Sequence, residues 1–279
     1  PRGDYRATLA AIKALVETLE AQVGRRGSLG VGIPGTVSPA TGLVKNANST
    51  WIIGQPLDRD LAAALGRPVR IENDANCFAL SEAVDGAAAG ARVVFGVILG
   101  TGVGGGVVVE GRCLGGLNAI AGEWGHNPLP WPMDEERPGP PCYCGKLGCI
   151  ETFLSGPGLA RDHRLAGGAE LDPEEIAGRS AAGEPSAAAT MARYEDRLAR
   201  ALASVINVLD PDVIVLGGGL CKIDSLYRAL PERLADYVFS DRVDTPVVPP
   251  RHGDASGVRG AACLWAPDEV DRALGDAPP

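Results

Sequence analysis

Two periodicities alternate along this chain. The opening PRGDYRATLAAIKALVETLEAQVG sets Leu9, Ile12, Leu15, Val16, Leu19 and Val23 at three-and-four spacing, which predicts an amphipathic helix with one buried face, closed by Gly24 as its C-terminal cap. SLGVGI, Ser28 to Ile33, is then an apolar run expected to form a buried strand, and PGTVSPATG after it is rich in turn residues. PLDRDLAAALG predicts a short helix, PVRIEN a strand and ANCFALSEAVDG another helix. Strands alternating with helices point to an α/β layer with some parallel pairing.

RVVFGVILGTGVGGGVVVEGRCLGG holds two β-branched runs joined by glycines and predicts a hairpin. An irregular, proline-rich stretch follows, carrying EWGH and PCYCGKLGCIE. Pro185 to Leu209 is alanine-rich with spaced arginines and predicts one long helix, DVIVLGGGL a strand entering a glycine turn, and GVRGAACLW a last helix.

Gly100-Thr101-Gly102-Val103-Gly104-Gly105 satisfies G-x-G-x-x-G, yet a dinucleotide fingerprint needs those glycines to open a helix, and here they lead into strand-like GVVVEG. A hairpin turn that offers backbone N–H groups and the Thr101 hydroxyl to phosphate fits better, the alternative being a tight hairpin with no ligand. The chain contains no G-x-x-x-x-G-K-[ST], so a P-loop ATPase is not supported. LGGGL, Leu216 to Leu220, reads as structural when taken alone. In IENDANCF, Asn73 and Asp74 stand where a strand ends and a helix begins. Asp74 there is an N-cap, a general base at the carboxyl edge of a sheet, where α/β proteins open their ligand crevices, or both at once.

Composition narrows the chemistry. The 279 residues are 45% hydrophobic and 22% charged, an ordinary globular balance large enough for one or two cores. A net charge of -9 disfavours nucleic acid and anionic membrane as partners. The apolar run Val93 to Val109 is shorter than the roughly 20 residues of a membrane span and holds several glycines. No signal-peptide pattern opens the chain, so a cytoplasmic protein with reduced cysteines is expected. The sequence lacks an initiator Met and enters a helix almost at once, so a fragment of a longer protein is expected.

Three of the seven cysteines, Cys142, Cys144 and Cys149, cluster as C-x-C-x4-C. That spacing does not match a C-x-x-C redox pair. His126 lies just upstream and completes a Cys3His set, which would hold a closed, structural zinc; chance clustering is the alternative. Glu123 and Glu151 flank these residues, placed to serve the ligands, a substrate or solvent.

The series GIPG, ENDAN, LGTGVGGG, GEWGH, CYCGKLGCIE and VIVLGGG, in this order, resembles the ROK family of sugar kinases across essentially the whole chain. The resemblance implies an α/β, actin-like (ribonuclease H-like) ATPase fold whose two domains flank a cleft for Mg-ATP and a hexose. It assigns residues 1–90 with 257–279 to a small, incomplete domain and 91–256 to a larger domain with the zinc-bound loop. By the same resemblance Asp74 matches the catalytic base, and Asn73, Glu123, His126 and Glu151 match sugar-binding positions. Gly100, Thr101, Gly102, Gly104, Gly105 and Gly106 match a phosphate loop, and Gly217, Gly218 and Gly219 the region near adenosine. His126, Cys142, Cys144 and Cys149 match zinc ligands, one nitrogen of His126 remaining for the sugar. The family opens with a strand and a D-x-G-G-T-K phosphate loop that this sequence does not contain, so N-terminal strands are expected to be missing.

KNANSTW, GEWGHNPLPW and GVRGAACLW are similar to the fructokinase branch, while ENDANCFALSEA and ILGTGVGGG are as similar to the N-acetylglucosamine kinase branch. Fructose is therefore the first expectation, with N-acetylglucosamine, glucose or mannose as alternatives and a homodimer as the expected assembly. A sugar-responsive ROK transcription regulator is the competing class. A zinc hydrolase would need an open coordination position, which Cys3His does not leave.

Overall fold

The computed structural model describes residues 2–270 and residue 274, so part of the tail expected in the small domain lies outside the described residues. Helix α1 (Tyr5–Val23) starts where the Asp4 carboxylate accepts from Ala7 N and ends at Gly24, φ 74°. Strand β1 (Leu29–Ile33) leads through a short antiparallel pair, β2 (Thr36–Val37) and β3 (Val44–Lys45), to helix α2 (Leu57–Leu65) and strand β4 (Val69–Asn73). Strands β1 and β4 pair in parallel from Leu29↔Val69 to Ile33↔Asn73. Ile33, Val44, Ile52, Leu57 and Leu61 form the core here, with Leu9 and Ile12 of α1 packed against it.

The buried face expected for α1 is only half realised. Val16 is buried, but Leu15, Leu19 and Val23 are 59%, 50% and 64% exposed. The pattern specified an apolar stripe along the whole helix; the small core beneath reaches only its first turns.

Helix α3 (Asp74–Val84) follows β4 without a linker and lies on a five-stranded mixed sheet. That sheet holds β5 (Val93–Leu99), β6 (Val103–Val109), β7 (Arg112–Cys113), β8 (Val213–Gly217) and β9 (Val247–Val248), ordered β7-β6-β5-β8-β9. The expected hairpin is β5–β6, in register from Val93↔Val109 to Leu99↔Val103, and β8 joins β5 in parallel. A Cβ on Gly96 would lie 2.6 Å from Ala79 Cβ, and one on Gly106 2.5 Å from Ala75 O. Small residues on both sides therefore let α3 dock almost backbone to backbone.

The other face carries α4 (Ile150–Leu154), α5 (Gly156–Leu165), α6 (Pro173–Ala181), α7 (Pro185–Leu209) and α8 (Asp224–Leu234). Phe95, Val97 and Leu99 point into this layer with Leu198, Leu202 and Ile206 of α7, while Val94 and Ile98 point to α3, the two-residue alternation of a sheet covered on both sides. Helix α7 has the bounds that the sequence predicts. It also carries a buried ion-pair network: Arg197 Nε and Arg200 Nη2 both reach Glu136 Oε1, at 2.7 and 2.8 Å, tethering the proline-rich loop. Finally α9 (Ser256–Ala262) packs on α3 and β1, and the Trp265 indole N–H donates to Leu29 O at 2.8 Å. Among the described residues no helix is long and apolar enough to cross a membrane.

Candidate active site

The junction of β4 and α3 gives the N-cap position to Asn73 and not to Asp74. Asn73 is the N-cap: its Oδ1 accepts from Ala75 N at 2.9 Å and Asn76 N at 3.3 Å, and its Nδ2 donates to Gly35 O at 3.2 Å. Asp74 is the first helical residue, and its Oδ1 accepts from its neighbour Ala75 N at 2.9 Å. It is open to solvent at one side, yet the protein around it removes enough water to raise its carboxyl above the usual aspartate range, against the pull of the Ala75 N–H.

Glu123 is raised chiefly by the same desolvation; His126 and Lys45 oppose this, and the charges of Asp74 and Glu151 add to it. Asp74, Glu151, His126 and Lys45 thus all act on the Glu123 carboxyl as one charged cluster. Its parts come from different elements: β4–α3, the 3-10 turn Trp124–His126, α4 and β3. Lys45, whose ammonium donates to Asn118 O at 2.7 Å, was not among the expected site residues, although KNANSTW contains it.

The Cys3His set assembles. The ligand atoms of His126, Cys142, Cys144 and Cys149 all lie within 4.8 Å of one another. Tetrahedral zinc with thiolates at about 2.3 Å requires sulfurs about 3.8 Å apart. Cys144 and Cys149 Sγ are 3.6 Å apart, and His126 Nδ1 is 3.5 Å from Cys142 Sγ, so the residues fit that metal. The loop is shaped for it: Cys142 N donates to Lys146 O, Gly145 N to Cys142 O, and Cys149 bridges to Pro128. With Nδ1 turned to the sulfurs, Nε2 faces outward, 2.9 Å from the exposed Tyr143 hydroxyl. The nitrogen expected to meet a sugar is thus already shared with a tyrosine.

The nine expected nucleotide-loop residues divide. Gly100, Thr101 and Gly219 line a cavity of about 1320 Å³ with Pro157, Lys222 and Asp224, ample for a nucleotide. Gly104, Gly105 and Gly106 lie inside β6, where Cβ atoms would meet Ala75 Cβ, Gly122 O and Ala75 O, respectively. A Cβ on Gly217 would meet the Phe78 ring at 2.6 Å, and one on Gly218, φ 79°, Leu99 O at 2.4 Å. None of these five glycines lines the cavity, and all but Gly104, whose Cβ would stand at an ordinary 3.4 Å, permit close packing. Gly102 turns between the two groups, its missing Cβ 2.6 Å from Glu151 Oε2.

The ROK family model matches residues 1–268. The chain belongs to the ROK family. An N-acetyl-D-glucosamine kinase of Erwinia tasmaniensis is 43% identical over 274 residues, covering 95% of this ROK chain and 88% of that protein. A ROK hexokinase structure from Thermus thermophilus superposes with a TM-score of 0.83 at 32% identity, covering 99% of this chain and 90% of that one. A ROK family transcriptional regulator, a homologue of the E. coli MLC protein, gives a TM-score of 0.76 at 25% identity, with 92% of this chain and 67% of that one covered. The ROK chain therefore has the expected actin-like ATPase fold, and its relatives include sugar kinases.

Proposed function

We propose that this ROK protein transfers a phosphoryl group from Mg-ATP to the 6-hydroxyl of N-acetylglucosamine. The acidic cluster of Asp74, Glu123 and Glu151, tied by the Val103 N–H bond to Glu151 to the turn whose Gly100 and Thr101 line the 1320 Å³ cavity, carries this reading. Phosphoryl transfer needs an acceptor hydroxyl and a donor phosphate held in line, with little covalent chemistry for the protein to perform. Asp74 accepts the proton of the hydroxyl. Asn73, Glu123, Glu151 and His126 fix the remaining hydroxyls, and Lys45 offsets part of the acidic charge. Gly100 N donates within the turn to Gly102 O at 3.0 Å, which leaves the Thr101 N–H and hydroxyl to face the phosphates, where preorganised donors stabilise developing charge. Zinc held by His126, Cys142, Cys144 and Cys149 supplies a structural clamp on the loop that presents His126 and Glu151.

Fructose, expected from three local matches, yields to N-acetylglucosamine because the similarity to a kinase of that name runs through 95% of the chain at 43% identity. A coupled ATPase assay against a panel of hexoses tests both levels. N-acetylglucosamine should give the highest kcat/KM; a preference for fructose would reverse the choice of sugar, and a flat response to every sugar would remove the kinase reading. Asp74→Ala should lose about 10² to 10⁴-fold in kcat while still binding the sugar, and near-normal turnover would displace Asp74 as the base.

A further inference from the structure

Glu151 does more than add charge beside Glu123. It sits in the first turn of α4, two residues after Cys149, and its Oε2 accepts from Val103 N at 2.9 Å. Val103 is the first residue of β6 and directly follows the Gly100–Gly102 turn. A second tie runs alongside, because Gly156 N donates to Gly100 O at 2.8 Å. The opposite side of the same strand is held by the segment containing Glu123: the Trp124 indole N–H donates to Gly104 O at 2.9 Å, and Gly125 packs on Val103 O. Glu151 Oε1 makes no hydrogen bond among the described residues, so only one carboxylate oxygen is engaged in holding the turn.

We propose that Glu151 is a positioning residue for the phosphate-facing turn, acting through Val103 N, in addition to any contact with sugar. The proposal rests on the reading of the Gly100–Thr101 cavity as the nucleotide site. The Val103 N–H needs an acceptor at that place whenever the turn has this shape, and Glu151 Oε2 supplies it. Without it the turn gains alternatives, and its N–H groups no longer converge before nucleotide arrives. The route also joins the zinc loop to the phosphate turn through four residues of chain, Cys149 to Thr152.

Two explanations give opposite signs. A carboxylate acting only by charge repels phosphate, so removing it would tighten nucleotide binding. A carboxylate that shapes the turn would, when removed, weaken binding even with no sugar present. Binding of Mg-ADP by calorimetry, without sugar, separates them. Glu151→Ala should weaken Mg-ADP by about tenfold, the scale of one backbone donor left without its acceptor. Glu151→Asp keeps the charge but is one methylene short of Val103 N, and should weaken it similarly. Glu151→Gln keeps both length and an acceptor oxygen and should stay within about twofold of the parent.

Melting temperature and zinc content accompany each variant, and Asp carries the test if Ala does not fold. Unchanged or tighter binding in Ala or Asp, or an equal loss in Gln, would overturn the role of Glu151. Failure of the parent protein to bind Mg-ADP would overturn the nucleotide site itself.

Discussion

Gly106 separates packing from phosphate binding most sharply. A Cβ there would lie 2.5 Å from Ala75 O, 2.8 Å from Ala75 C and 2.8 Å from Asn76 Cα. All three atoms are backbone of the first turn of α3, so no side chain can swing aside. To reach ordinary contact near 3.5 Å, the helix or the strand must retreat by roughly 1 Å. Overpacking of this kind costs about 1–3 kcal/mol. Asp74 occupies that same turn, and a displacement of about 1 Å at a reacting group can cost about 100-fold in rate.

Gly106→Ala should therefore lower the guanidinium midpoint and kcat together while leaving Mg-ADP affinity within a fewfold of the parent. Gly104→Ala is the control in the same strand, since its Cβ would stand 3.4 Å from Ala75 Cβ, an ordinary contact. Denaturation curves and steady-state kinetics on both proteins give the answer. A Gly106→Ala protein of unchanged stability that has lost nucleotide affinity would refute the packing argument and return Gly106 to the phosphate loop.

Zinc analysis of protein purified without chelator should find about one ion per chain; chelation or Cys149→Ser should loosen the 126–149 loop and remove activity, and retention of full kcat without metal would refute the clamp. Glu136→Gln should destabilise the fold by about 1–3 kcal/mol, because Arg197 and Arg200 lose the charge of Glu136 while keeping Asp162 and Asp196, respectively. Burial alone would raise the Glu136 carboxyl, but those arginines hold it down to about 2, from 4.5. Its contribution is complete above pH 4.5 and is lost as pH falls toward 2; an acid-unfolding curve of the Gln variant parallel to the parent's over that window would contradict the network's role.

The alternation of strands and helices, the β5–β6 hairpin, the bounds of α7 and the Cys3His set could all be read from the sequence. Each depends on spacing along the chain: two-residue and three-to-four-residue apolar periods, glycines between β-branched runs, and metal-ligating side chains close enough for one loop to gather. The ordered motifs also carried the family, although short local matches favoured fructose where similarity over the whole chain favours N-acetylglucosamine. A handful of residues is too small a sample to fix a sugar pocket.

Tertiary structure alone decided which repeated residues do what. Gly100 and Gly106 look alike in LGTGVGGG, but one lines a cavity and the other makes room for a helix. Whether Asp74 capped a helix depended on Asn73 taking that position first. Leu15 and Leu19 follow the same stripe as Ile12, yet the small core does not extend beneath them. The bond from Val103 to Glu151 joins residues 48 apart in the chain. Local spacing specifies what each segment can form, while the assignment of a glycine or a carboxylate to packing, capping or ligand depends on what the fold brings against it.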